Sequence, residues 1–262
     1  MKFIALTIFP ELLQAFWDNG IMRRATGAGI IEPAAINIRD HALGRHRVTD
    51  DRPYGGGCGM VMKPEPLAGA IEAARRMAPG AQVVLLSPQG TPFNQAMAGE
   101  LARGPGLVLI CGRYEGIDER VTEQFVDLEV SIGDYVLTGG ELAAMTVMDA
   151  VTRLLPGALG NEDSAEQDSF KERRLDCGHY TRPPRFQDRD VPEVLLTGNH
   201  DLIARWRRAD GLMRTLVRRP DLLRGRSLSA DELELLEKWR REIDVLIRSQ
   251  CDGGPGSPSS DR

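Results

Sequence analysis

The sequence predicts an α/β protein: a mainly parallel sheet with helices on both faces, followed by a small all-α C-terminal domain. Three observations carry this. Strand-like apolar runs alternate with amphipathic helical stretches through the first 157 residues, the order that builds a parallel sheet. Three of the runs, Ala81–Leu86, Leu107–Cys111 and Leu128–Ile132, open directly into loops containing glycine. From Lys171 onward the composition becomes arginine-rich.

Taken in order, Lys2–Ile8 reads as the first strand, and Pro10 starts a short helix carrying Leu12, Leu13, Phe16 and Trp17 that Asn19-Gly20 closes. Ile30–Ile38 reads as a second strand. The segment from His41 to Pro66 is polar, basic and glycine-rich, and a loop of that length in a compact domain is more often functional than idle. Helical periodicity resumes over Pro64–Met77. Ala81–Leu86 is a strand opening into Ser87–Pro92, and Asn94–Ala102 a helix. Then come the strands Leu107–Cys111, opening into Gly112–Gly116, and Leu128–Ile132, opening into Gly133–Gly140. Glu141–Leu155 is a helix whose apolar side is Leu142, Met145, Val147, Met148, Val151 and Leu155. Residues 158–170 are small, polar and acidic, as a linker is. Helix is predicted from about Asp201, and Ser229-Ala230-Asp231-Glu232 is a capping box that opens the last helix. The domains expected are therefore 1–157, a linker 158–170, a helical domain 171–250 and a disordered tail 251–262.

Composition excludes several classes. A hydrophobic share of 42% and a charged share of 27% are those of a soluble globular chain. No apolar run is long enough to span a bilayer and the N-terminus lacks a signal-peptide pattern, so a cytoplasmic protein is expected. The four cysteines lack paired spacing, which points to reduced thiols. Cys177-Gly178-His179 is half of a zinc site at most, because a structural site takes four ligands. The net charge of −5 conceals an asymmetry: residues 1–170 carry 14 basic and 22 acidic side chains, residues 171–250 carry 18 and 14. Of 33 basic residues 29 are arginine, the residue suited to bidentate phosphate contacts, although a GC-rich genome gives the same bias.

Ligands on a parallel sheet bind beyond the carboxyl ends of the strands, where the loops 87–92, 112–118 and 133–140 all lie. Neither G-x-G-x-x-G nor G-x-x-x-x-G-K-[ST] occurs, which excludes the dinucleotide fingerprint and the P-loop. Glu115, Asp118, Glu119, Asp134 and Glu141 make the region acidic, favouring a cationic or hydroxyl-bearing ligand over a phosphate. S-adenosylmethionine fits that polarity without being selected by it.

Ser87-Pro88-Gln89-Gly90, the run Cys111–Arg120 and the run Ser131–Leu142 closely resemble the signature loops of the bacterial tRNA (guanine-N1)-methyltransferases. Asp50–Gly57, Asp168-Ser169-Phe170, His179–Pro183 and Gly198-Asn199-His200 match as well, so the resemblance covers about residues 1–245. Ala143 and Gly178 stand where that family usually has proline. The resemblance implies a deep trefoil knot of the SPOUT type in the first domain, an exception to the rule against knotted chains. It implies S-adenosyl-L-methionine as methyl donor, magnesium without assignable ligands, and a homodimer with each active site shared between subunits. Leu86, Ser87, Pro88, Gln89, Gly90, Ile132, Gly133, Tyr135, Leu137, Gly139 and Gly140 are then cofactor-binding, with Gly112, Tyr114 and Glu115 close by.

By the same resemblance the reaction is methylation of N1 of the guanosine just 3′ of the anticodon, at tRNA position thirty-seven, in tRNAs where a G precedes it. Asp168 matches the proposed general base; by its residues alone it is one of four linker acids, with Glu162, Asp163 and Glu166. Arg153 matches the arginine that stabilises charge developing on guanine O6; by itself it is a cation at a helix C-terminus. Eight arginines between Ile203 and Arg226 form a candidate phosphate surface, roughly half of which a solvated helix face explains. His46, Arg52 and Tyr54 are candidates to reach the anticodon. A ribosomal-RNA methyltransferase of similar fold is the nearest rival, disfavoured by the basic helical C-terminal domain. A catalytically silent RNA-binding protein would be expected to lack Asp168 or the glycines.

Overall fold

Strand-forming runs assemble a five-stranded, all-parallel sheet in the computed structural model of the chain, which describes residues 1–160, 168–170 and 172–251. The chain divides into two compact units at residues 166 and 167. The first contains β1 (Lys2–Thr7), α1 (Pro10–Trp17), α2 (Gly20–Gly27), β2 (Glu32–Asn37), β3 (Asp50–Asp51), β4 (Val61–Met62), α3 (Pro64–Met77), β5 (Gln82–Pro92), α4 (Gln95–Leu101), β6 (Gly106–Cys111), α5 (Glu119–Phe125), β7 (Leu128–Ser131) and α6 (Glu141–Thr152). The sheet order is β2-β1-β6-β5-β7, with β3 and β4 forming a separate antiparallel ribbon.

Side chains alternate across the sheet, and each face has its own core. Phe3, Ala5, Val84, Leu107 and Leu109 pack with Leu13 and Trp17 of α1, Met22 of α2, Ala98 of α4 and Val147, Met148 and Val151 of α6. On the opposite face Ile4, Leu6, Val83, Val108 and Ile110 pack with Leu67, Ala70 and Ile71 of α3 and Val121 of α5. Helices therefore cover both faces, as the strand-loop-helix order predicts.

Four differences from the sequence reading have local causes. Asn19-Gly20 does not end the helical region: Gly20, at φ +58, turns the chain into α2. After Leu86 the chain leaves β7 and returns, so that Val130 pairs with both Leu86 and Thr91 and β5 runs on to Pro92. Glu119–Phe125 is a helix, with Asp118 as the side-chain cap on the Arg120 amide. In α6 the buried apolar positions are Ala143, Ala144, Val147, Met148 and Val151, whereas Leu142 is 59% exposed; the turn that faces the sheet carries alanines where β6 passes close.

The second unit contains a short ribbon of β8 (Arg185–Phe186) and β9 (Arg189–Asp190), then α7 (His200–Arg218) and α8 (Ala230–Cys251). The capping box forms reciprocally: the Glu232 amide donates to Ser229 Oγ at 3.2 Å and the Ser229 amide to Glu232 Oε2 at 2.9 Å. The linker acids Glu162, Asp163 and Glu166, and the tail 252–262, lie outside the described residues. Among the described residues no helix is long and apolar enough to cross a membrane.

Candidate active site

β6, β5 and β7 are neighbours in the sheet, so the loops leaving their carboxyl ends converge. They enclose a cavity of about 400 Å³, within the size range of small-molecule sites. Leu86, Ser87, Pro88, Gln89, Gly112, Tyr114, Glu115, Ile132, Gly133, Tyr135, Leu137, Gly139 and Gly140 line it. Gly90 does not, and the lining also takes in residues outside the expected set, among them Arg113, Glu119, Glu129 and Ala143. Arg113 was inside a motif and so in plain view; Glu129 belongs to a strand, where nothing local marks a lining residue.

The glycines divide by cause. Gly116 at φ +126 and Gly133 at φ +147 supply backbone conformations that side chains disfavour. Tyr114 adopts φ +61 without being glycine, a strained position of the kind that clusters at ligand loops. Gly90, Gly139 and Gly140 instead permit close approach within the protein. A Cβ on Gly90 would lie 2.5 Å from the Glu129 carbonyl carbon, and one on Gly140 2.7 Å from Cys111 Cα. Space for a ligand is thus not the only reason for glycine in these motifs.

The cavity is acidic. Glu115, Glu119 and Glu129 line it, and the one cation that lines it among the described residues, Arg113, is ion-paired with Glu141 at 2.9 Å. Burial, reinforced by the neighbouring Glu141 carboxylate, pushes the Cys111 thiol far up, so Cys111 is a neutral core residue. Asp118 is held below the usual carboxylate range by the hydrogen-bonded Arg120 guanidinium.

The long loop after β2 is tied to this cavity through the β3–β4 ribbon. The Glu115 amide donates to the Met60 carbonyl and the Met62 amide to the Gly116 carbonyl, both at 3.0 Å. Gly59 lies against the Glu115 side chain, where a Cβ would be 2.5 Å from Cγ. Beyond the ribbon, His46 and Arg52 are exposed and Tyr54 is fully so, the form an RNA base needs in order to stack on an aromatic ring.

Arg153 is the C-cap of α6, partly buried, and is not a lining residue of the cavity. Asp168 belongs to the second unit, partly buried and next to Ser169, whose hydroxyl accepts the Asp176 amide at 3.0 Å. The eight arginines of 203–226, about half of them expected on a solvated helix face, differ in their partners. Arg214 pairs with Asp210 at 2.6 Å, Arg219 with Asp221 at 2.7 Å and Arg226 with Glu232. Arg205 and Arg208 line an open cavity of about 1020 Å³ together with Arg173, Arg174, Arg226 and Lys238 and the acidic Glu172, Asp231, Glu232 and Glu234, and there Arg174 pairs with Glu172 at 3.1 Å. Among the described residues Asp176, Cys177 and His179 bring three metal-capable donor atoms within 4.8 Å of one another, one more residue than the sequence offered, where a structural zinc set takes four. Burial pulls the Asp176 carboxyl up, but hydrogen bonds from the Cys177 amide and His179 outweigh it and hold it low.

Comparison with known proteins bears on this arrangement. Residues 1–225 match the profile of the family described as tRNA (Guanine-1)-methyltransferase TrmD. A tRNA (guanine-N(1)-)-methyltransferase of Desulfatibacillum aliphaticivorans is 53% identical over 262 residues, covering all of both chains. One of Pseudomonas paraeruginosa is 56% identical over 241 residues, 91% of this chain and 96% of that protein. One of Geotalea uraniireducens is 55% identical over 241 residues, covering 92% and 98%.

Proposed function

The chain belongs to the tRNA (guanine-1)-methyltransferase family, whose reaction is methylation of guanine N1 in tRNA, and from this premise we propose the donor, target and residues of its reaction. The donor is S-adenosyl-L-methionine and the target is the guanosine immediately 3′ of the anticodon, in tRNAs where a G precedes it. The observation that carries the donor is the acidic cavity at the ends of β5, β6 and β7. A sulfonium and an ammonium suit a wall with Glu115, Glu119 and Glu129 and a neutralised Arg113, whereas a phosphate would be repelled. The close passages at Gly90 and Gly140 support a knotted arrangement of the three loops.

Bound there, the donor supplies an electrophilic methyl group, and the protein supplies alignment and a proton acceptor. Guanine N1 carries a proton in the neutral base, so a positioned base must remove it. Asp168 is that residue, contributing about 10²–10⁴-fold, and Arg153 stabilises charge on O6. Asp168 reaches the reaction from the partner subunit of a homodimer. Exposed apolar side chains on the first unit, among them Leu12, Val136 and Leu142, support such an interface. Arg173, Arg205 and Arg208 hold tRNA phosphates, and the ribbon carrying Arg52 and Tyr54 meets the anticodon loop. Magnesium is not assigned a place: the Asp176, Cys177 and His179 group contains a thiol and an imidazole, donors that suit softer metals. The reaction takes place in the cytoplasm, where tRNA is modified.

The test is methyl transfer from labelled S-adenosylmethionine to tRNA transcripts bearing G or A at the target nucleotide. Label is expected on the G transcript alone. Equal labelling of both, or of neither, contradicts the proposal.

A further inference from the structure

The loops 112–118 and 133–140 meet at a junction built from more than backbone. Arg113 and Gly139 form an antiparallel bridge, and the Gly140 amide donates to the Gly112 carbonyl at 2.9 Å. Over this bridge the Arg113 guanidinium grips the Glu141 carboxylate with both prongs, Nε to Oε1 at 3.2 Å and Nη2 to Oε2 at 2.9 Å. Glu141 is only 2% exposed. The Thr7 hydroxyl, at the end of β1, donates to Glu141 Oε1 at 2.6 Å and accepts the Phe9 amide at 2.9 Å. The Phe9 ring lies 4.3 Å from the guanidinium carbon. Three stretches distant in sequence, 7–9, 112–113 and 139–141, are locked by one fork.

A buried ion pair is weak evidence for stability, because desolvation of two charges offsets their attraction and apolar residues of similar volume serve as well. What a two-pronged pair supplies that packing cannot is direction. Gly139 records this: a Cβ there would sit 2.5 Å from Arg113 Nε and 2.6 Å from Glu141 Oε2. Its φ is not in the left-handed range, so the fork itself explains the glycine.

We propose that Arg113 is a positioning residue for the methyl donor: acting through Glu141 and Thr7, it sets the Gly139-Gly140 edge of the cavity against Gly112, so that the backbone groups that hold the donor are in place before it arrives. Neutralising Arg113 in the wall is part of the same device. Removal of the pair then weakens donor binding by loss of preorganisation and leaves tRNA binding as it was. This inference rests on the donor assigned above.

The experiment compares wild type, Arg113→Lys and the double variant Arg113→Met/Glu141→Leu, which replaces the pair by apolar side chains. Melting temperature, Kd for S-adenosylhomocysteine by calorimetry, and KM for donor and for tRNA are measured. The double variant is expected to melt within about 3 °C of wild type, with Kd and donor KM raised at least about tenfold and KM for tRNA within about twofold. Arg113→Lys, which keeps the charge but not the fork, is expected to fall between. A folded double variant that binds S-adenosylhomocysteine like wild type overturns the proposal. Should the double variant not fold, Arg113→Lys decides: a Kd raised at least about threefold at unchanged melting temperature supports it, and an unchanged Kd overturns it. Wild-type protein that binds no S-adenosylhomocysteine refutes the donor assignment itself, an outcome distinct from equal binding by wild type and variant.

Discussion

Replacing Gly90 by alanine perturbs the molecule where β5 rejoins β7. The new Cβ would lie 2.5 Å from the Glu129 carbonyl carbon and 2.7 Å from that of Val130, whereas carbon atoms in contact sit near about 3.5–4.0 Å. The two chains must part by roughly 1 Å. Neither has a flexible side chain to give way, because the atoms struck are backbone and Val130 is paired on both sides of the excursion, with Leu86 and with Thr91. Overpacking of this kind costs about 1–3 kcal/mol, and clash against backbone puts Gly90→Ala at the upper end. For a unit of this size about 3 kcal/mol lowers the melting temperature by roughly 6–12 °C. The residues between the two pairings, Ser87, Pro88 and Gln89, line the cavity, so affinity for S-adenosylhomocysteine should fall with it. Gly99→Ala is the control, since its Cβ meets nothing within 4 Å in α4; it should raise stability by about 0.5–1 kcal/mol. Calorimetric melting and titration of both variants check this. A Gly90→Ala protein that melts and binds like wild type refutes the close-approach explanation.

Three further outcomes are expected. Asp168→Asn should retain S-adenosylhomocysteine binding and lose about 10²–10⁴-fold in single-turnover methylation; undiminished turnover removes Asp168 as the base. Arg205→Gln/Arg208→Gln should weaken tRNA binding and flatten its dependence on log salt by about 0.7–0.9 for each phosphate no longer neutralised, checked by filter binding from low to physiological salt; an unchanged slope assigns those arginines elsewhere. At Glu232, burial raises the carboxyl pKa but the Ser229 amide and Arg226 outweigh it, leaving the folded value low. A depressed folded pKa contributes stability above the unfolded value of about 4.3 that is lost as pH falls through the folded one. Melting of the second unit should therefore weaken with acid below about pH 4.3, and Glu232→Gln, which also loses part of the α8 cap, should flatten that dependence.

The sheet and its helices were legible because strand alternation and helical periodicity are local signals: Phe3 and Ile4 report two faces within two residues. The α8 cap was legible for the same reason, since Ser229 and Glu232 are three apart. The Gly20 turn into α2 was not, because Asn-Gly marks a break without specifying the conformation of the residues after it. Leu142 matched the apolar period of α6 yet faces outward, since the sheet beneath favours the small Ala143 and Ala144. The loops of the candidate site could be placed together from strand ends alone, but the role of their glycines could not. Gly90, Gly139 and Gly140 are fixed by Glu129, by the Arg113–Glu141 fork and by Cys111, partners that only the fold brings near. Among the described residues, ion pairs to Asp210, Asp221 and Glu232 likewise occupy Arg214, Arg219 and Arg226, although these read like Arg205 and Arg208 in the sequence.

The proposed reaction places a methyl group on one nitrogen of one nucleotide. Nuclease digestion and mass spectrometry of tRNA treated with wild-type protein and S-adenosylmethionine measure it directly. A single N1-methylguanosine is expected in the fragment that contains the nucleotide 3′ of the anticodon, and none when that nucleotide is A. Methylation at another guanine atom, at a ribose hydroxyl, or at a different nucleotide contradicts it.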